Sequence, residues 1–509
     1  MLKKNSVMII SLMVTLIFIL IGVFSPKKLS EISSSFLVFA TDSFGWFYLI
    51  SFTLFVVMCI YLAFSKYGKI RLGKDSDRPE FSTGSWLAML FSTGLAAGLF
   101  FWGVAEPVMH YLSPPVGEGG TSESAKLALS TSFFHWGLHF WAVNCIIGLM
   151  ITYFQFRKNY PPLISYTLYP LLGEKIHGPI GKIVNILTIF AILSGVTTSM
   201  GLGVRQVASG LDFVWGIDNT SFSQSILFVI ITIGFVMSAC YGLDRGIKRL
   251  SNINVVIGFI ILALIFILGP TQKILQILVA SGGDYLQNLV GMSLRMEPFS
   301  TDNTWLSNWT IFYWGWIISF ATFVGIFIAR ISKGRTIKEF VMGTMFVPAF
   351  TSITWFSVFG GSALHFIHNL GRSELANNVM EDVTTAFFLF LQYFPFSSML
   401  MALSIISILI FMVTSADSTV FVLGMMSEES NNPTNRTKIL WGIVIAAIAI
   451  TLIYSGGLTP LQSVSVAAGL PFTVVVLVMI VSFMKSLKQE TAFLSEKKEE
   501  DNEEDNIAV

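Results

Sequence analysis

Apolar residues run on for about 20 positions at a time before a polar cluster interrupts them, the length a helix needs to cross a hydrocarbon core. Twelve such stretches are read, at residues 6–25, 45–64, 85–110, 130–156, 183–209, 224–242, 252–270, 305–329, 339–361, 398–424, 437–456 and 464–484. No stretch alternates with a period of two for long, which argues against a β-barrel. The first stretch is longer than the apolar part of a signal peptide and lacks a small-residue cleavage site, so it reads as a retained span. The pattern predicts an all-α integral membrane protein of about 12 transmembrane helices.

Composition agrees: 54% of the 509 residues are hydrophobic and 12% charged, far from soluble norms. The net charge of +1 carries no message, but its distribution does. With both termini on the cytoplasmic side, Lys27, Lys28, Lys126, Arg205, Lys273, Arg295 and Arg372 fall at outer ends, leaving 24 of the 31 Lys and Arg inside. The loops "KYGKIRLGK", "DRGIKR" and "RISKGRTIK" all land on that side, as the positive-inside rule requires for a multi-pass protein of the cell membrane.

The spans group into an N-terminal segment, 1–80, carrying two helices, and two five-span units, 81–272 and 305–486. Residues 273–304 join the units and are too polar to span. They read as an amphipathic helix on the outer surface, as do residues 379–393. The charged tail, 487–509, is expected to be disordered and cytoplasmic.

No GxxxxGK[ST] appears, so no P-loop couples ATP hydrolysis to this chain. No HExxH, CxxC or GxSxG appears either, and neither an enzyme nor a nucleic-acid partner is expected. Glu106, Arg205 and Asp417 are the main charges at depth, and such charges mark a pathway or a buried pair. Gly94 and Gly98 sit mid-way along the third span. They allow either close helix packing or a local unwinding that frees backbone carbonyls for a ligand. His135 and His139 share a helix face. Hydrogen-bonded structural histidines are one reading, and haem ligation in a membrane redox protein is another.

Tryptophan supplies the sharper signal. "FFHWGLHFWAVN" and "NWTIFYWGWIISF" concentrate indoles within two spans. On continuous helices Trp136 and Trp141 lie about 140° apart and Trp314 and Trp316 about 160° apart, so one of each pair points into a central site. Trp136, Trp141 and Trp316 lie deeper than an interfacial belt requires. Indole faces at depth suit a cation without N–H donors, such as a methylated ammonium, through cation–π attraction of up to about 2 kcal/mol. The tenth span places Thr414, Ser415, Asp417, Ser418 and Thr419 in an apolar helix. They serve either as polar glue between helices or, with an opened third span, as hard oxygen ligands for sodium.

These blocks resemble the betaine–carnitine–choline transporter family. "NWTIFYWGW" resembles the family signature of the eighth helix, and "GIFIARISKGRTIKEF" follows it. "FWGVAEP", "FHWGLHFWA", "GLGVRQVASGL", "RLSNIN" and "VTSADS" resemble further family blocks in the same order, over most of residues 5–485. The resemblance implies a LeuT-like core of two inverted five-helix repeats behind two extra N-terminal helices, a homotrimer, and alternating access for zwitterionic or quaternary ammonium substrates. It implies an aromatic box at Trp136, Trp141 and Trp316, with Tyr111 as a fourth member. The chain departs from the pattern at Asn144, where betaine carriers often have Tyr, and at Ile317 and Phe320, where Trp is common. The resemblance implies a sodium site from the carbonyls of Ser92, Leu95 and Phe411 and the hydroxyls of Thr414 and Ser415. Ser194 and Thr198 are candidates for a second sodium. Sodium is then the coupling ion, and no other cofactor is expected. The alternative within the family is a sodium-independent exchanger of carnitine- or choline-like solutes. Asn254 and Val255 stand near the position where some exchangers carry a basic side chain.

Overall fold

The computed structural model describes residues 6–94, 96–241, 244–300, 303–430, 432–455 and 458–507, and their side chains except those of 91–94, 96–97, 244–248, 458–459, 461 and 493–507. Among these residues the chain is helical and contains no strand. The helices that carry the argument are α1 (Ser6–Phe24), α2 (Pro26–Phe64), α3 (Thr83–Gly94), α4 (Ala96–Leu112), α5 (Ser122–Trp136), α6 (Leu138–Thr152), α7 (Pro179–Trp215), α8 (Ser221–Tyr241), α9 (Asp244–Leu268), α10 (Thr271–Gln287), α11 (Phe312–Ile331), α12 (Val347–Leu364), α13 (Ser397–Glu428), α14 (Asn435–Tyr454) and α15 (Leu458–Ile507).

Eleven helical segments among the described residues are long and apolar enough to cross a membrane. The chain is therefore an all-α integral membrane protein. The count falls one short of twelve at the third stretch, which is described as α3 and α4 on either side of Leu95. Leu95 lies outside the described residues, and with it the expected unwinding.

Burial sorts the helices into a centre and a rim. The segments Ser122–Arg157 and Thr304–Ile331 are almost wholly buried, whereas α1 and the stretch Arg249–Leu268 bury little of themselves. Apolar side chains on a rim helix need no protein partner where lipid supplies the solvent. At the centre, α11 packs against α6, α7 and α15, and α7 packs against α13 and α15. Gly315 allows one close crossing: a Cβ there would meet the Val466 backbone at 2.7 Å. Small residues let helix backbones approach in this way.

Three local features depart from the sequence reading. The fourth span breaks at Gly137, whose φ of −89° and ψ of −127° are not helical. A Cβ at Gly137 would lie 2.4 Å from the Phe133 carbonyl, and the freed Leu138 N–H donates to the Tyr285 hydroxyl at 3.1 Å. Tyr285 belongs to α10, within the 273–304 connector, so this segment docks on α5 and α12. Residues 379–393 are not one surface helix. Ser373–Glu381 gives way to a turn and then to Ala386–Leu391, where Phe387, Phe388 and Phe390 are fully buried. The tail continues α15 to Ile507 because no Gly or Pro follows Pro471 and Glu and Lys are good helix formers.

Two of the three basic loops meet. Ile337 N–H donates to the Ile70 carbonyl at 2.9 Å and Leu72 N–H to the Arg335 carbonyl at 2.7 Å. Beside them Glu490 of α15 accepts from Arg157 at 2.8 and 2.6 Å and from Lys158.

Candidate functional site

The central helices enclose a cavity lined by Gly98 of α4, Trp136 and Phe140 around the Gly137 break, Val196, Ser199 and Met200 of α7, Trp316, Ile317 and Phe320 of α11, and Phe411, Met412 and Ser415 of α13. None of these side chains is charged. The only polar ones among these residues are the hydroxyls of Ser199 and Ser415.

The two indoles are held from behind. Trp136 donates its N–H to Glu106 Oε2 at 2.7 Å and stacks on Phe140 at 5.1 Å and 19°. Trp316 donates to Ser199 Oγ at 3.0 Å and stacks on Phe312 at 5.7 Å and 3°. The rings are 6.1 Å apart and nearly perpendicular, at 80°. Their outer carbons meet over Gly98, where a Cβ would come within 2.7 Å of Trp136 and 3.3 Å of Trp316. With both N–H groups already committed, the indoles offer the cavity ring carbon and no donor. This environment favours a cation that itself lacks N–H groups.

Of the expected box residues, Trp136, Trp316, Phe320 and Ile317 come together on this cavity, along with Gly98. Trp141, Asn144 and Tyr111 do not. Trp141 donates to Ser352 Oγ at 3.2 Å; the break at Gly137 invalidates the angle computed for a continuous helix. Asn144 donates to the Phe140 carbonyl at 2.8 Å, while its side-chain oxygen is buried without a partner. Tyr111 lies at the end of α4, bonded to the Gly120 carbonyl at 3.0 Å and His368 Nδ1 at 2.9 Å. Gly94 ends α3, and its side-chain surroundings lie outside the described residues. Sequence reasoning missed Phe140, Val196, Ser199, Met200 and Met412. Only Phe140, four residues after Trp136, carried a positional signal.

The candidate sodium ligands divide. Phe411 and Ser415 line the cavity, and Thr414 Oγ1 donates to the carbonyls of Ile410 at 3.0 Å and Phe411 at 3.1 Å. A hydroxyl that donates still has lone pairs to offer an ion, so this turn of α13 is chemically fit for sodium. Leu95 and the surroundings of Ser92 lie outside the described residues. Ser194 donates to the Ala191 carbonyl at 2.9 Å. Thr198 Oγ1 lies 2.7 Å from Ser465 Oγ, which reaches the Ser194 carbonyl at 3.3 Å. Ser465 therefore joins the second pair, a member the sequence did not suggest.

The two histidines of the fourth span turn to different partners. His135 lies 2.7 Å from Glu106 through Nδ1 and 2.9 Å from Thr310 Oγ1 through Nε2. His139 lies 3.0 Å from Ser293 Oγ and stacks on Trp314. His135 thus has a partner at each ring nitrogen, whereas His139 Nδ1 is buried without one.

A family model described as betaine/carnitine/choline family transporter matches residues 6–492. The glycine betaine transporter OpuD of Bacillus subtilis is 46% identical over 489 residues, covering 96% of this chain and 95% of the relative. The ectoine/hydroxyectoine transporter of Virgibacillus pantothenticus is 42% identical, covering 98% and 99%. The high-affinity choline transport protein of Escherichia coli is 36% identical, covering 88% and 67%. A family match over nearly the whole chain, on a multi-pass helical membrane protein, makes this a transporter rather than an enzyme: the chain belongs to the betaine/carnitine/choline transporter family.

Proposed function

We propose that this transporter carries a betaine-type zwitterion by sodium-coupled symport, with the methylated ammonium held between Trp136 and Trp316. The observation that carries the reading is a central cavity with two perpendicular indoles and no charged side chain among its described lining residues. A trimethylammonium group has no N–H to satisfy and gains from ring faces. The Ser415 hydroxyl faces the same space and is free to donate to the carboxylate end. Sodium binds beside it, at the Phe411 carbonyl and the Thr414 and Ser415 hydroxyls, where it lowers the cost of bringing that carboxylate into the membrane interior. Ser194 and Thr198 form the second, weaker cation site with Ser465. The two five-span units act as a LeuT-like inverted repeat, opening the cavity alternately to each side, with both termini cytoplasmic and three copies per assembly.

A second reading takes ectoine-type cyclic zwitterions as substrate. It draws on the 42% identity to an ectoine/hydroxyectoine transporter and on aliphatic Ile317 in the lining. Both readings are tested by uptake of labelled glycine betaine and ectoine into proteoliposomes, with sodium or potassium outside. Betaine uptake only with sodium supports the first. Ectoine uptake alone supports the second. Equal uptake in both salts, accelerated by internal substrate, replaces symport by exchange.

A further inference from the structure

We infer that Glu106 is a positioning residue for the cavity: its carboxylate anchors the Trp136 indole at the N–H and so sets ligand affinity without touching the ligand. This inference rests on the cavity reading above.

Glu106 is fully buried on α4 and is absent from the cavity lining. Its Oε2 accepts from Trp136 Nε1 and from the Tyr313 hydroxyl, each at 2.7 Å. Its Oε1 faces His135 Nδ1 at 2.7 Å and His110 Nε2 at 3.3 Å. One carboxylate thus gathers donors from α4, α5 and α11. Glu106, His110 and His135 place ligand atoms within 4.8 Å of one another, as a metal site would. The direct hydrogen bonds, with His135 Nε2 at Thr310, account for the arrangement as a donor cluster instead.

The geometry works as a lever. An indole has one polar atom, a donor, and in Trp136 it is tied to Glu106. The opposite end of the ring lies over Gly98 beside Trp316. Rotation about the side-chain bonds would swing that end across the cavity, and only the anchored end opposes it through a directional bond. A charge-assisted bond of this length is among the stronger ones.

Reach therefore matters more than charge. Glu106→Gln keeps the reach: its amide oxygen accepts from Trp136 and Tyr313, and its NH2 meets the histidines, which accept in their other tautomers. Glu106→Asp keeps the charge but withdraws it by one methylene. The test measures glycine betaine binding calorimetrically to the purified full-length protein, alone and in a Trp136→Phe background. Expected are a rise in Kd of about tenfold for Glu106→Asp and Glu106→Ala, and of at most about threefold for Glu106→Gln. In the Trp136→Phe background, which has no N–H to anchor, the Glu106→Asp effect should shrink to within about twofold. If Glu106→Ala does not fold, the Asp and Gln variants decide alone. Wild-type affinity in Glu106→Asp, or an equal loss in both backgrounds, overturns the anchoring role and leaves the cavity reading standing. Unchanged binding in Trp136→Ala overturns both.

Discussion

The stretch 133–144 holds one tryptophan that faces the cavity and one that does not, the stretch 308–320 holds one that faces it and two, Trp309 and Trp314, that do not, and the two kinds are held differently. Trp136 and Trp316 stack on Phe140 and Phe312, fix their N–H groups to Glu106 and Ser199, and line the cavity. Trp141 and Trp314 are core residues. Trp141 bonds to Ser352 on α12. Trp314 stacks on Phe52 at 4.6 Å and on His139 at 5.5 Å, joining α2, α6 and α11. A ring packed on every side contributes burial and stacking, whereas a ring beside open space can take a cation. The same residue type, two or five positions apart, therefore lines the cavity in one place and builds the core in the other.

The largest expected effect breaks this contrast directly. Trp136→Ala should raise the Kd for glycine betaine by about tenfold or more, since losing a desolvated cation–π contact costs about 1–2 kcal/mol. Trp141→Ala should instead lower the melting temperature, because truncating a buried Trp costs about 3–5 kcal/mol, and should leave Kd within about twofold. Calorimetry and a thermal melt on both variants check this. A reversed pattern would move the binding ring to Trp141.

The pattern of spans was legible because lipid imposes a length and a polarity on every crossing helix. That "KYGKIRLGK" and "RISKGRTIK" share a side was legible for the same kind of reason, and Ile70 and Ile337 meet there. Which indole faces the cavity was not legible. Angular spacing assumes an unbroken helix, and Gly137 breaks this one for a reason that lies in tertiary contact: Tyr285, far along the chain, takes up the freed N–H. The burial of Phe387 and Phe388 was hidden likewise, since short apolar runs look alike on a surface helix and in a core. Phe411, Thr414 and Ser415 fell on one turn by adjacency alone. Ser465 next to Thr198 required two distant helices to meet.

The second effect separates ion from substrate at the cavity wall. Thr414→Ala should raise the sodium concentration for half-maximal uptake by about tenfold. At saturating sodium, betaine Kd should stay within about twofold, because Thr414 is spent on Ile410 and Phe411 rather than on the lining. Uptake titrated against sodium in proteoliposomes reads both quantities. An equal loss at all sodium concentrations would make Thr414 a packing residue.

The third uses the floor beneath the indoles. Gly98→Ala adds a methyl group that would lie 2.7 Å from Trp136 and 3.3 Å from Trp316, and rigid rings yield poorly to such overpacking. Betaine affinity should fall about fivefold, with a smaller loss when Trp316→Phe removes one of the two rings. A strictly additive pair would show that Gly98 acts on the helix and not on the rings.

The smallest effect sharpens the contrast by adding a ring to the binding face. Ile317 lines the cavity next to Trp316, so this pocket has an aliphatic wall where a further indole is common among carriers that the sequence resembles. Asn144, the other departure, bonds to Phe140 behind the wall and should have no part in selection. Attraction to a ring face weakens little when a methyl group becomes N–H, but a partly methylated ammonium keeps its hydration unless an acceptor replaces the water. The Ser199 hydroxyl lines the cavity beside Trp316, accepts one bond from that indole and donates to the Gly195 carbonyl, and its second lone pair can act as that acceptor in the wild type. Ile317→Trp fills space with ring carbon and should crowd out that option. Competition of glycine betaine with its dimethyl and monomethyl analogues should show about a threefold sharper preference for the trimethyl form in Ile317→Trp, and no change in Asn144→Ala. If the wild type already rejects the less methylated analogues, and neither substitution alters the order, the aliphatic wall has no part in selection. The ring faces of Trp136 and Trp316 would then suffice.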